Sequence, residues 1–375
     1  MSNYEMSLGG LQSPVDYRDI PFEAVASATI LPKKHIEDIS KLPVDHQRKI
    51  GACVGHAGAK YVQYLNLLET GAVEAHSPRF LYGLAKCRDG YNFEGTYPRL
   101  VAKIVMDHGC ALENLIVNDT KLSHDEYVYF RKEANLPSGW IQNARPYMTS
   151  GYAFPDVKNV DSLKRAIIDG HGAMLLVNVG QEWYTAKNGQ RSWKARDILP
   201  LRAPVAVISG HEVFLFGYEV EKDGRTKFYI LNSWSDDWGE KGVGYFYFDT
   251  YGPHIKEAIT FVDIPNNTIK TIDQLPNQKT FRFYFGTDIE AGERGPRVVA
   301  HQTALMIDGM FSRELYAELL KNNELGYFKP KGVTQEALLR FQTKYSVASL
   351  AELQKIGGTR AGAKTRAQLN NLFGG

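Results

Sequence analysis

From Cys53 to about Thr70 the apolar residues recur at spacings of three and four, with Val54, Ala57, Tyr61, Tyr64, Leu65 and Leu68 on one helical face. The spacing predicts a helix with one buried side, and Gly51 and Ala52 just ahead of it put Cys53 at or near its N-terminus. Pro98 to His108 reads as a second helix, with proline in the first turn and Gly109 just past the end. A third covers Asp161 to Asp169 and closes at Gly170. Upstream, Pro14, Pro21, Pro32 and Pro43 break any long helix. Beyond Gly170 the texture changes. Ala173–Val179, Glu212–Glu219, Lys227–Leu231 and Gly244–Phe248 are rich in β-branched and aromatic residues and predict strands. Val220 to Arg225 predicts a hairpin turn centred on Asp223 and Gly224. A helical half followed by a β-rich half is an α+β arrangement, with room for a cleft between the two.

Pro265 to Gln278 is polar and carries Asn266, Asn267, Pro276 and Asn277, which predicts a linker. The expected division is therefore 1–264, a linker over 265–278, and a second domain over 279–375. In that last stretch Val298–Met306, Thr334–Tyr345 and Thr365–Phe373 predict a small all-α bundle. A length of 375 residues suits two domains, and 43% hydrophobic with 23% charged residues is ordinary for a globular chain. The formal charge of +2 gives no basic stripe of the kind nucleic acid requires, so no nucleic-acid partner is expected. Residues 281–375 hold 13 basic and 9 acidic residues, a local +4. No run of apolar residues is long enough to span a membrane, and Met1 to Asp16 lacks the pattern of a secretory leader.

The three cysteines, Cys53, Cys87 and Cys110, are too few for a disulfide scaffold and lack the spacing of a zinc site, so no metal and no cofactor are expected. Cys87 and Cys110 read equally as a bridge or as two buried thiols. Thiol catalysis needs a nucleophile in an electropositive setting, a base, a group that orients the base, and donors for the oxyanion. Cys53 has the helix-start position; His211 opens one predicted strand and Asn232 closes the next, so a hairpin could bring both to one sheet end. Taken alone, His211 would read as a hydrogen-bonded strand-end residue and Asn232 as a turn residue. His56, one turn past Cys53, is expected to face away from the cleft. His171 and His254 are expected in solvent without partners.

Gln47 stands six residues before Cys53, and Asn232-Ser-Trp-Ser-Asp-Asp-Trp-Gly-Glu-Lys-Gly242 follows the second strand. Together with Ser209-Gly-His211 and Phe93-Glu-Gly-Thr-Tyr-Pro98, these segments resemble the papain family of cysteine peptidases over roughly residues 14 to 264. The resemblance implies a two-lobed fold and a peptidase acting on proteins or peptides. It makes Cys53 the nucleophile that forms a thioester, His211 the base, Asn232 its orienting group and Gln47 an oxyanion donor. Gly95, Thr96, Gly210 and Trp234 are expected around the substrate, with Trp234 also shielding the His211–Asn232 bond from water. It further implies a thiol with a depressed pKa. Val54 stands where the family has an aromatic residue, Thr96 replaces a second cleft glycine, and the cysteine usual near the nucleophile is missing. His211 follows Cys53 by 158 residues, an interval explained by loop growth. Val15-Asp-Tyr-Arg18 resembles a mature start, so no long inhibitory pro-region is expected.

Ile289 to Gln302, Gly332 to Gln342 and Ala361 to Asn370 resemble the signatures of a peptidoglycan-binding-like domain, with His301 in place of leucine. That resemblance implies bacterial cell wall as a partner and Gly292, Gly295, Gln302, Phe341, Gln342, Gly362 and Asn370 as turn and packing residues. Two other functions fit parts of the pattern: a hydrolase or transpeptidase of peptidoglycan stem peptides, and a silent peptide-binding pseudo-peptidase.

Overall fold

The first long helix, α1 (Cys53–Thr70), spans the residues that the apolar spacing predicts. Gly71 ends it in the left-handed region at φ 74°, where a side chain would be strained. Most of α1 is buried, polar residues included, so it runs through the molecule rather than along its surface. Helices α2 (Pro78–Arg88) and α3 (Pro98–His108) pack against it. The Ser77 hydroxyl caps α2 by accepting the Phe80 N–H. The near-continuous apolar run Phe80 to Ala85 hides any helical period, which is why sequence spacing does not reveal α2. The structure, a computed structural model, describes residues 6–16, 19, 22, 31–187, 190–192, 198–262, 285, 288–293, 296–321 and 327–373.

The β half is built on a seven-stranded antiparallel sheet, with a separate two-stranded pair at Thr185–Lys187 and Gln190–Ser192. The strands of the sheet are β1 (Lys34–Ile36), β2 (Gly151–Ala153), β3 (Ala173–Val179), β4 (Ser209–Val220), β5 (Thr226–Leu231), β6 (Val243–Tyr247) and β7 (Ile255–Val262). Their order is β2-β7-β3-β4-β5-β6, with β1 also on β4. The expected hairpin joins β4 to β5, and Gly224 takes φ 87° in its turn. Side chains alternate along β4. Phe214 and Phe216 join α1–α3 in one apolar cluster, whereas Val213 and Leu215 join Trp183, Trp234 and helix α4 (Val160–Asp169) in another. Two lobes meeting at β4 are the α+β architecture that the resemblance implies.

The chain divides into two compact units: Met1–Val15 with Leu31–Val262, and Asp16–Ile30 with Asp263–Gly375. The second contains α5 (Pro296–Ile307), α6 (Arg313–Lys321), α7 (Val333–Lys344), α8 (Leu350–Ile356) and α9 (Ala363–Phe373), packed around Val298, Leu305, Phe341 and Leu369. One antiparallel pair, β8 (Ile289–Glu290) with β9 (Arg360–Ala361), adds to the helices that sequence spacing predicts. Gln302 donates to the Thr334 hydroxyl, and Gln342 donates to the Arg360 carbonyl, both from buried positions. Gly292 takes φ 104°. These residues act as turn and packing residues. The expected linker 265–278 and Gly295 lie outside the described residues.

Candidate active site

Cys53 is the first residue of α1, where unsatisfied backbone N–H groups give the setting a partial positive charge. His211 is the third residue of β4, and Asn232 immediately follows β5, which pairs with β4. The hairpin therefore brings the two together: His211 Nε2 donates to Asn232 Oδ1 at 2.7 Å, and the Ser233 N–H donates to the same oxygen at 2.8 Å. That leaves His211 Nδ1 as the free ring nitrogen; it is buried and has no hydrogen-bond partner among the described residues. Gln47 is locked beside them, its backbone N–H on the Ser233 carbonyl and its Oε1 accepting from the Ser233 hydroxyl at 2.6 Å. Its Nε2 donates to the Ile50 carbonyl at 3.1 Å and to the Ser7 carbonyl at 2.8 Å. Gln47, His211 and Asn232 are thus linked through Ser233, and the Cys53 sulfur faces the backbone of Glu212, the residue after His211.

The cleft holds the chain's own residues 7–11. Gly10 N–H donates to the Gly210 carbonyl at 3.1 Å, Thr96 N–H donates to the Gly9 carbonyl at 2.9 Å, and Leu11 N–H donates to the Thr96 carbonyl at 3.1 Å. The Ser7 carbonyl accepts from Gln47 Nε2 at 2.8 Å, and the Ser7 hydroxyl donates to the Lys49 carbonyl at 2.7 Å. The sulfur of Cys53 faces the backbone of Gly9, Glu212 and Val54. Both rims of the cleft therefore grip one extended peptide.

The electrostatics follow from that cover. Cys53 and His211 are wholly buried. Burial pushes the thiol up to about 12, with the nearby Glu212 adding to it. Burial pushes His211 down to about 4, against the hydrogen bond to Asn232. The depressed thiol pKa expected from the resemblance is absent in this closed arrangement, because nothing charged is solvated there. Both groups are held neutral.

Several expectations need correction. Gly95 does not offer its backbone to a peptide in the cleft: its N–H donates to the Tyr82 hydroxyl at 2.9 Å and its carbonyl accepts from Lys86 Nζ at 3.0 Å. Thr96, one residue on, supplies both contacts through its backbone, while its own hydroxyl is buried without a hydrogen-bond partner among the described residues. Trp234 is fully buried and presents no surface to a substrate; its ring lies 5.0 Å from the His211 ring. His56 is buried, with Nδ1 donating to Asp45 at 3.1 Å. His171 has a partner, Glu37, at 3.1 Å, and His254 packs edge-on to Tyr251. All three cysteines are free, Cys53 and Cys110 buried and Cys87 exposed. Sequence reading missed Trp183, whose ring stands edge-on to His211 at 5.8 Å; no motif surrounds it. Among the described residues no cluster of His, Cys, Asp or Glu could hold a metal, and no helix is long and apolar enough to cross a membrane.

The family model described as "Papain family cysteine protease" matches residues 43–257. Mexicain from Jacaratia mexicana is 24% identical over 200 residues, 53% of this chain and 80% of that protein. Xylellain, a cysteine protease from Xylella fastidiosa, superposes with a TM-score of 0.56 at 18% identity, covering 70% of this chain and 98% of its own.

Proposed function

This chain belongs to the papain family of cysteine proteases, and we propose that it hydrolyses internal peptide bonds of extended polypeptides through a thioester at Cys53. One observation carries the peptide specificity: residues 7–11 lie extended between Thr96 and Gly210, with a carbonyl on Gln47 Nε2. A substrate backbone meets the same donors and acceptors. In the proposed sequence the Cys53 sulfur attacks the scissile carbonyl carbon while its proton passes to His211 Nδ1. The oxyanion is held by Gln47 Nε2 and the Cys53 N–H. The C–N bond then breaks as His211 returns the proton to the leaving amine, and water, deprotonated by His211, hydrolyses the thioester. Asn232 keeps Nε2 protonated and Nδ1 facing the sulfur, and Trp234 covers that bond.

We further propose that residues 7–11 hold the enzyme latent. Their hydrogen bonds occupy both rims, and with them in place neither reacting group carries charge. The resting full chain is expected to react slowly with a chloromethyl ketone and to label at Cys53 alone. Cys53→Ala should abolish hydrolysis of a peptide library without unfolding, and retained cleavage in that variant would sink the reading. Gln47→Ala should lower kcat about 10–1000-fold with a smaller change in KM. An unchanged kcat would remove Gln47 from the oxyanion site.

For the second unit we propose cell-wall attachment. Its signature resemblance and local +4 support this, although a charge of that size is screened within about 8 Å at physiological salt and cannot give specificity. The full chain should co-sediment with purified bacterial sacculi in moderate salt. Binding that vanishes with salt, or never occurs, defeats the tether.

A further inference from the structure

Glu212 follows His211 on β4 and faces the opposite way, towards α1. It is buried, and both of its carboxyl oxygens lack a hydrogen-bond partner among the described residues. The same is true of His56 Nε2 and of Asn232 Nδ2. These three side chains line one cavity of about 10 Å³, together with Asp45, Lys60 and Ser233. Buried polar atoms in native proteins are satisfied, and unmatched ones cluster around ordered water. A cavity of this size sits at the lower limit for one water molecule.

The chemistry of the wall is complementary. Although burial opposes its ionisation, Asp45 is held as a carboxylate by Lys60 and His56, with Lys60 Nζ at 2.9 Å. An ionised Asp45 accepts only, so His56 Nδ1 carries the proton and donates to it. In the neutral ring His56 Nε2 is then an acceptor aimed at the cavity. Burial, with Glu257 adding to it, pushes Glu212 well above the usual carboxylate range, which favours the protonated form with one donor and one acceptor. Asn232 Nδ2 is a donor. Two donors and two acceptors surround one site, the full valence of a single water.

We propose that this cavity binds one ordered water joining His56 and Glu212 to Asn232 Nδ2, so that Asp45 and His56 form a second histidine–carboxylate pair that positions the Asn232 amide. The consequence reaches His211. If the Asn232 amide flipped, Nδ2 would face His211 Nε2, the imidazole would carry its proton on Nδ1, and it could no longer take a proton from Cys53. Ser233 N–H fixes Oδ1 from one side; the water fixes Nδ2 from the other. His56 and Glu212 are positioning residues, acting through Asn232.

This inference rests on the proposed roles of His211 and Asn232, and its test separates the two. Hydrolysis of a fluorogenic peptide amide by the full chain should show kcat lowered about tenfold in His56→Leu and in Glu212→Leu, with KM changed less than about twofold. Glu212→Gln, which keeps one donor and one acceptor, should recover most of the loss. In an Asn232→Ala background neither leucine substitution should cost more, whereas a merely structural residue would carry its penalty there too. Leucine variants with wild-type kcat, or with an undiminished penalty in that background, overturn the proposal. A crystal structure of the unaltered chain supplies the check that survives misfolded variants. It should show one water within hydrogen-bonding distance of His56 Nε2, Glu212 and Asn232 Nδ2, and a dry cavity overturns the proposal. A full chain that cleaves no peptide even with residues 7–11 displaced from the cleft defeats the functional reading instead.

Discussion

A valine at Gly9 has nowhere to go, since even its Cβ would stand 2.0 Å from the Gly51 carbonyl oxygen, a backbone atom that cannot step aside. Gly9→Val should therefore expel residues 7–11 from the cleft while leaving the folded core intact. Water then reaches Cys53, the burial that holds the thiol near 12 is relieved, and its pKa falls. Because the thiolate is the reactive form, iodoacetamide should label wild-type Cys53 only at strongly alkaline pH, but Gly9→Val at neutral pH. Peptide hydrolysis should rise about tenfold or more in the variant. Equal labelling profiles would mean that residues 7–11 do not restrain the site. At this scale the sequence was informative where chemistry is written locally. Cys53, Gln47, His211 and Asn232 sit in short motifs whose order and composition identify them. The occluding glycines, His56, Glu212 and Trp183 carry no such motif. Their roles exist only once β4 lies beside α1 and residue 9 beside residue 51, contacts that no local pattern encodes.

Glu37, one residue beyond β1, shows how single groups join elements. Burial pushes its carboxyl up, but hydrogen bonds from His171, Tyr64 and His35 outweigh that and bring it down to about 2. Tyr64 belongs to α1 and His171 precedes β3, so Glu37 ties three elements at one point. A carboxyl whose folded pKa is depressed contributes stability that is present above its unfolded value, about 4.3, and is lost as pH falls towards 2. Allowing for solvent screening at a partly exposed carboxyl, Glu37→Gln should thus cost about 2 kcal/mol in urea unfolding at pH 7 and progressively less below pH 4. A penalty independent of pH would assign the effect to packing. The elements themselves divide by how clearly their period reads. α1 and α3 match their predicted spans because their ends carry proline or glycine signals and their faces alternate. Strand β7 and helix α2 escaped notice: β7 mixes Lys256 and Glu257 into a short run, and α2 is apolar without a period.

At the scale of the whole molecule, the first unit assembles its two lobes from residues 31–262 and borrows only Met1–Val15 from upstream. A chain ending at Val262 should still fold and cleave small peptides, because every residue of the proposed site lies within it. Its residues 16–30, grouped with 263–375 in the full chain, should become sensitive to limited proteolysis. Insolubility of the truncated chain would show that the second unit is required for the first. The polypeptide leaves the first unit at Asp16, contributes fifteen residues to the second, and returns at Leu31. On a ribosome this itinerary sets a clock. Residues 16–30 are made before the site is complete, whereas the 113 residues they group with follow it. At roughly 5–20 residues per second that delay is about 6–23 s. For that interval each newborn molecule carries a finished cleft whose occluding segment is joined to a stretch of chain still waiting for its partners.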